Sequence, residues 1–276
     1  MPRSGIGIAE AFRNRDIRLP LTLTMLAGFV GAAAFTHSTG YFATAMSGNA
    51  QRGILGWFTG APSMAAGAMA LTVMFLLGVI TSSVLQHRRS ARDAHIAMAV
   101  NTTGLIIASV IDLWLSPHNP LLGLVPVLFA AFGLGALNTA FSKNGEVSIP
   151  ISYLTGSVVK LGQGIARHLH GSSRSEWAGY AIQYGSFLAG ATIGGLASLA
   201  VSGSRMLYIA TAGSVLVALF HYMSASNGPR TNPVQATVPT LLGTDRDHSH
   251  HDELASNTER PNQDPSPLDG LRSRDV

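Results

Sequence analysis

The sequence predicts an all-α integral membrane protein with six transmembrane helices, arranged as a 3+3 inverted repeat with two broken or re-entrant segments. Three observations predict it. Of 276 residues only 12% are charged and 47% are hydrophobic, where a soluble domain carries about 25% charge. The charges crowd into the first 18 residues, Arg88–Asp93 and about the last 50 residues, leaving long uncharged apolar tracts between them. Two polar breaks inside those tracts also resemble each other. This distribution excludes a soluble enzyme, a nucleic-acid-binding domain and a disordered chain. The formal charge of +4 then reports topology rather than a nucleic-acid partner. Zero Cys excludes disulfides, thiolate nucleophiles and Cys-based metal centres.

Residues 1–18 form a basic arm with Arg3, Arg13, Arg15 and Arg18. A membrane helix needs about 20 mainly apolar residues. The tracts that follow predict helices over 21–44, 63–85, 94–115, 121–142, 177–200 and 206–224. The third tract holds two helices because Ser116-Pro117-His118-Asn119-Pro120 interrupts it. The membrane domain is 19–225, with halves of about 19–115 and 121–225. Residues 226–276 turn to Asn, Pro, Asp, Ser, Arg and His and read as a disordered cytoplasmic tail. A cleaved signal peptide ending at Ala32-Ala33-Ala34 is the other reading of the start; five further apolar spans favour an uncleaved helix.

Lys and Arg set orientation. With the N-terminus inside, the inner segments hold Arg3, Arg13, Arg15, Arg18, Arg88, Arg89, Arg92, Lys143, Lys160, Arg167 and Arg174, and the outer ones only Arg52 and Arg205. This places both termini in the cytoplasm, taking the membrane to be an inner (plasma) membrane.

The first break is Thr39–Asn49 and the second Asn144–Ser157. Each follows a Gly- and Ala-rich helix ending in Phe and a hydroxyl residue, Phe35-Thr36 and Phe141-Ser142. Each closes on a large apolar residue, a hydroxyl residue, Gly and a small polar residue: Met46-Ser47-Gly48-Asn49 and Leu154-Thr155-Gly156-Ser157. A basic residue, Arg52 or Lys160, follows each Gly by four places, and Phe75-Leu76-Leu77-Gly78 matches Phe187-Leu188-Ala189-Gly190. Three spans per half is an odd number, so the second half is inverted, and interrupted segments at matching places point to a binding site. Irregular backbone at membrane depth is tolerated only where protein or a water-filled cavity satisfies it. Leu19–Gln51 would be about 50 Å long as one helix and should break at His37–Gly40. Val147–Val159 is too short to span and suits a re-entrant or interfacial piece. Ser47, Gly48, Asn49, Thr155, Gly156 and Ser157 are therefore candidate substrate contacts.

Three further residues join them. Asp112 is the acidic residue well inside an apolar tract, where a carboxylate is costly and functional by default, though its place beside Trp114 also fits the headgroup region. His37 and Asn138, late in the first and fourth helices, could bind a polar substrate or serve as hydrogen-bonding glue across the bundle. Asn101, with Thr102 and Thr103, has the same reading; His95 and His221 lie near helix ends and read as interfacial. Gly190-Ala191-Thr192-Ile193-Gly194 is a small-xxx-small packing motif, inside the bundle or between the protomers of a homo-oligomer. His248–Glu253 of the tail could hold a transition metal, but a solvated tail needs no such site. Neither a Walker loop nor a dinucleotide fingerprint is present, so no cofactor or metal is expected.

The stretches Ala27-Gly28-Phe29-Val30 through Met46-Ser47-Gly48-Asn49, and Gly133-Leu134-Gly135-Ala136-Leu137-Asn138 followed by Tyr153-Leu154-Thr155-Gly156-Ser157, resemble the signatures of the YoaK-like family. These are bacterial six-helix membrane proteins with a domain of unknown function. The resemblance covers about residues 20–225 and implies architecture more than activity. Members often carry an acidic residue where this chain has Gly31, and Gln where it has Leu137.

The function expected is a small secondary transporter or permease, with the bilayer as partner and a small molecule or ion as substrate. The alternative is a non-transporting scaffold or partner-binding membrane protein. An intramembrane serine hydrolase using Ser47 and His221 is disfavoured, because Ala45-Met46-Ser47-Gly48 lacks the leading Gly of such turns.

Overall fold

A computed structural model describes residues 15–38, 40–87, 93–114, 123–143, 146–147, 149, 151–152 and 154–226. Among them are eight helices: α1 (Arg15–Ser38), α2 (Met46–Phe58), α3 (Pro62–His87), α4 (Asp93–Trp114), α5 (Val125–Leu137), α6 (Thr155–Leu169), α7 (Ser175–Ser198) and α8 (Gly203–Ser226). Two short antiparallel strands, β1 (Ser142–Lys143) and β2 (Glu146–Val147), pair Ser142 with Val147 and Lys143 with Glu146. Four helices are long and apolar enough to cross a membrane: Arg18–Ser38, Pro62–His87, Ala94–Trp114 and Gly203–Met223.

The boundaries correct the expected ones in two places. The first helix starts at Arg15, taking in the end of the expected arm, and stops at Ser38, inside the break expected at His37–Gly40 and short of Thr44. Gly40, at φ +128°, then turns the chain, and the next residues fold back along α1, so that Thr44 sits against Gly31. The fourth helix is shorter than its tract. Pro126 stands in its first turn, and beyond Leu137 the chain tightens into turns through Phe141, with Thr139 N–H donating to Ala136 O and Ala140 N–H to Leu137 O. The expected tail beyond Ser226 and most of the expected arm lie outside the described residues.

The bundle is built inside out relative to a soluble protein. Large apolar side chains face outward, among them Val73, Leu76 and Ile80 on α3 and Leu216 and Phe220 on α8. The interior is made of small residues (Ala27, Ala33, Ala34, Ala130, Ala131), a few large ones (Leu23, Leu71, Leu105, Leu134) and polar ones (Asn101, Asn138, Ser82, Ser214). Lipid supplies no hydrophobic drive between helices, so membrane bundles associate through small residues and interhelical hydrogen bonds.

Two helix pairs carry the closest contacts. On α1 and α7, a Cβ at Gly28 would overlap the Phe187 carbonyl, and one at Gly190 would overlap the Met25 carbonyl. On α5 and α3, a Cβ at Gly135 would overlap the Phe75 carbonyl, and one at Gly78 the Phe132 carbonyl. The small-xxx-small motif of α7 is thus used inside the bundle: Gly190 meets Met25, and Gly194 meets Ala32. The short helices dock in the same manner. Gly56 of α2 packs on Ala65 of α3, and Gly164 of α6 on Trp177 of α7. Each reaches its partner through a turn with a left-handed glycine, Gly60 (φ +75°) and Gly171 (φ +98°), a conformation open to Gly at little cost. α4 packs between α5 and α8, and α8 also lies along α1.

These contacts make glycine obligatory at some positions only. Gly190→Ala should destabilise the detergent-solubilised protein by about 1–3 kcal/mol, the cost of overpacking. Gly195→Ala, where nothing lies within 4 Å, should leave thermal unfolding unchanged or slightly raised. Equal effects in a melting assay would show that the close approach is unimportant.

Candidate functional site

Asp112 lies in the last turn of α4, two residues before its end at Trp114. Burying a carboxylate is costly unless it is paired and hydrogen-bonded, and here three side chains meet it. His37, in the last turn of α1, places Nε2 2.6 Å from Asp112 Oδ1. Tyr208 of α8 donates its hydroxyl to Oδ2 at 2.7 Å, and Ser204 also bonds the carboxyl. The two side chains of the His–Asp pair are only 8% and 11% exposed. Gly203 makes the convergence possible: a side chain there would strike the His37 backbone, so α8 can begin directly against the end of α1. Facing a carboxylate, Nε2 carries the proton. His37 Nδ1 is then bare in the neutral ring and protonated in the imidazolium, and it is buried without a hydrogen-bond partner.

From this cluster a line of polar side chains continues along the α4–α8 contact. Ser109 Oγ and Thr211 Oγ1 are 2.7 Å apart. Thr102 Oγ1 and Ser214 Oγ are 2.8 Å apart, and Asn101 Nδ2 donates to Ser214 at 2.9 Å. Asn101 Oδ1 is buried and unpartnered. Near the opposite end of the two helices, the His95 and His221 rings lie 4.8 Å apart. On α8, Tyr208, Thr211 and Ser214 are three residues apart with His221 seven further on, and on α4 Asp112, Ser109, Thr102 and His95 are three or seven apart, which puts each set on one face.

Asn138 works locally. Its Oδ1 accepts from the backbone N–H groups of Ile151 and Ser152, and its Nδ2 donates to Leu134 O and Ser152 Oγ. It holds the second break against the end of α5, much as Gly31 receives Thr44 at the first. Nearby, Gln86 of α3 donates to Thr139 Oγ1 at 2.8 Å, and Ser82 bonds the same hydroxyl.

The two breaks deliver helices of the same form. Ser47 and Gly48 are exposed in the first turn of α2, and the next residue, Asn49, is buried; Thr155 and Gly156 are exposed in the first turn of α6, and Ser157 is buried. Neither helix has a side-chain cap or an acidic residue in its first turn. The first N–H groups of a helix have no intrahelical acceptor and favour anionic or acceptor groups. Asn49 Nδ2 is committed to Phe42 O at 2.6 Å, while Ser157 Oγ is buried with no partner. The basic residues that follow each face a tyrosine ring, Arg52 over Tyr41 at 5.9 Å and Lys160 over Tyr180 at 5.7 Å.

The structure therefore brings His37 and Asp112 into one cluster, and leaves Asn138 and the two glycine segments at the breaks. Ser47 heads α2, and His221 lies beside His95. Sequence reasoning missed Tyr208, Ser109, Thr211 and Ser214. The signal was there in Ser204, Tyr208, Thr211 and Ser214, polar groups one helical turn apart in an otherwise apolar helix. Among the described residues no group of three His, Asp or Glu is placed to hold a metal, and the His248–Glu253 segment lies outside them.

Helices that hide small and polar residues and show large apolar ones, four of them long enough to span, are consistent with an integral membrane protein. The chain belongs to the family described as "Protein of unknown function (DUF1275)", matched over residues 19–220. No curated protein and no solved structure matches it.

His37 and Asp112 should be energetically coupled across the bundle. In a double-mutant cycle of His37→Ala and Asp112→Asn, measured by unfolding in detergent, we expect a coupling of about 1–2 kcal/mol. Strict additivity would show that the 2.6 Å contact contributes nothing.

Proposed function

We propose that this protein is a small secondary transporter or permease for a small solute, with six spans in an inverted 3+3 repeat. It would sit in a bacterial inner membrane with both termini cytoplasmic, as a YoaK-like protein. In this reading α5 with its turns to Phe141, and α7, supply the spans beyond the four long apolar helices. The mirrored contacts support the repeat. Exchanging the halves carries Met25 and Gly28 of α1 onto Phe132 and Gly135 of α5, and Phe75 and Gly78 of α3 onto Phe187 and Gly190 of α7. The same exchange carries the Gly56–Ala65 contact onto Gly164–Trp177.

Contacts then sort the helices into two bundles, α1 with α6, α7 and α8, and α2 with α3, α4 and α5. They meet along α4–α8 and more lightly along α1–α5. Rocking of one such unit against the other is how inverted-repeat transporters alternate access. The packed interior around Val30, Ala33, Val127, Ala130 and Leu134 fits a closed state of that cycle.

The observation that carries the reading is the common form of the two breaks: uncapped helix starts at matching places, each with an exposed pair followed by a buried polar residue. In α6 that residue, Ser157, has a hydroxyl with nothing in the protein to bond. Exposed N–H groups of this kind are the usual way a broken membrane helix holds a solute.

The test is uptake into proteoliposomes from a mixed pool of labelled amino acids, sugars, nucleosides and organic acids. Nothing lies within 4 Å of a Cβ built on Gly48, so Gly48→Leu should fold normally yet abolish uptake. Ser157→Ala removes an unpaired hydroxyl, which costs little stability, and should weaken uptake. Wild-type vesicles that accumulate nothing, or variants that match wild type, would refute the proposal.

A further inference from the structure

We propose that protons are the coupling ion and that the α4–α8 seam is their path. The inference rests on the transport reading for its role but on a different part of the molecule for its geometry. The seam begins at His37, Asp112 and Tyr208 and runs through Ser109–Thr211 and Asn101–Thr102–Ser214 to His95–His221. From Asp112 to His95 along α4 is about 26 Å at 1.5 Å per residue, close to a hydrocarbon core of about 30 Å. Imidazole groups thus stand at both ends, and hydroxyl groups occupy most of the depth between.

Each group on this line can give up one proton as it accepts another. At the His37 end, a proton arriving at the buried Nδ1 makes the imidazolium. Nε2 then passes its own proton to Asp112 Oδ1, which returns the ring to neutrality and leaves a neutral carboxylic acid. The acid can release that proton to the Ser and Thr hydroxyls, each of which hands on its own. At the other end, the His95–His221 pair accepts it. No electron moves and the carboxylate is regenerated. The ring is left with its proton on Nδ1, and a half-turn of the imidazole about its Cβ–Cγ bond returns an N–H to the carboxylate and a bare nitrogen to the entry side for the next proton.

The groups facing this path are few. α5 has no titratable side chain, and α7 has only Glu176, Tyr180 and Tyr184, all in its first half. At the Asp112 end, Tyr208 of α8 faces the pair, Arg205 is exposed, and Arg52 of α2 donates to Gly40 O at 2.7 Å. At the other end Tyr222 lies edge-on to His95, at 6.4 Å between centroids, and the helix ends there carry Arg15, Asp16 and Arg18 of α1, His87 of α3 and Asp93 of α4.

The longest apolar interval of the line is at its far end. Between Ser214 and His221, about two turns, the same face of α8 carries Val217 and Ala218, and on α4 the buried Met98 lies between Asn101 and His95. This interval is the barrier that keeps the path shut at rest. It also makes the idea testable without knowing the solute. Ala218 is half-buried and one turn from both Ser214 and His221, so Ala218→Ser would extend the hydroxyl line to the histidine.

Proteoliposomes loaded with a pH-sensitive dye, given a potassium gradient and valinomycin, report proton entry directly. We expect Ala218→Ser to admit protons several-fold faster than wild type. Combining it with Asp112→Asn, or with Thr211→Val as the variant that keeps the side-chain shape, should return flux to the level of empty vesicles. Ala218→Ser no faster than wild type, or a double variant as fast as Ala218→Ser alone, would overturn the proposal. Solute uptake indifferent to a pH gradient would defeat this inference and leave the transport reading standing. Proton flux with no solute found would do the reverse.

Discussion

Helices in lipid gain nothing by hiding apolar side chains from a solvent that is itself apolar, so contact between them has to come from fit. In this protein the fit is made by backbones touching at glycines. Gly28 and Gly190 seat α1 and α7 against each other's carbonyls, and Gly78 and Gly135 do the same for α3 and α5. Any side chain at these four positions would separate the pairs. Because the pairs are fixed, the ends of α1 and α8 arrive at the same place, and His37, Asp112 and Tyr208 can meet.

The α4–α8 contact follows a different rule. Hydrogen bonds between side chains hold it, and the hydroxyls involved can exchange one partner for another at small cost. Each such bond in a membrane protein is worth on average only about 0.6 kcal/mol. The molecule therefore joins unyielding contacts, which admit no sliding, to a seam whose bonds can be remade. A polar group left without a partner, such as Asn101 Oδ1 or His37 Nδ1, belongs to the second kind of surface.

Much of the fold could be read from the chain. Segregated charge and uncharged tracts gave the long helices, and the likeness of Phe75–Gly78 to Phe187–Gly190 fell on residues that make the same contact in the structure. The end of α1 reads two ways: the apolar Tyr41, Phe42 and Ala43 carry the span on to Thr44, while the excess length of the tract puts a break at His37–Gly40, which is where the helix stops and the chain reverses. The site was less legible. Asp112 and His37 were each singled out, but nothing local in the sequence says that they touch across 75 positions. Hydropathy also hid the hydroxyls of α8, since Ser and Thr can bond within their own helix and disturb an apolar average little. Asn138 could be read as polar and buried, but not as the residue that pins Ile151 and Ser152, because that needs the loop's path.

The crossing of the two glycine-matched pairs bears on how the chain matures. α3 and α5 are synthesised near one another and can seat as soon as the second of them is made. α1 leaves the ribosome first yet has to wait for α7, the last helix but one, before its Gly28 groove is filled. Through most of translation the earliest helix therefore lacks the partner that fits it most closely, and its packing is completed only when the chain is nearly finished.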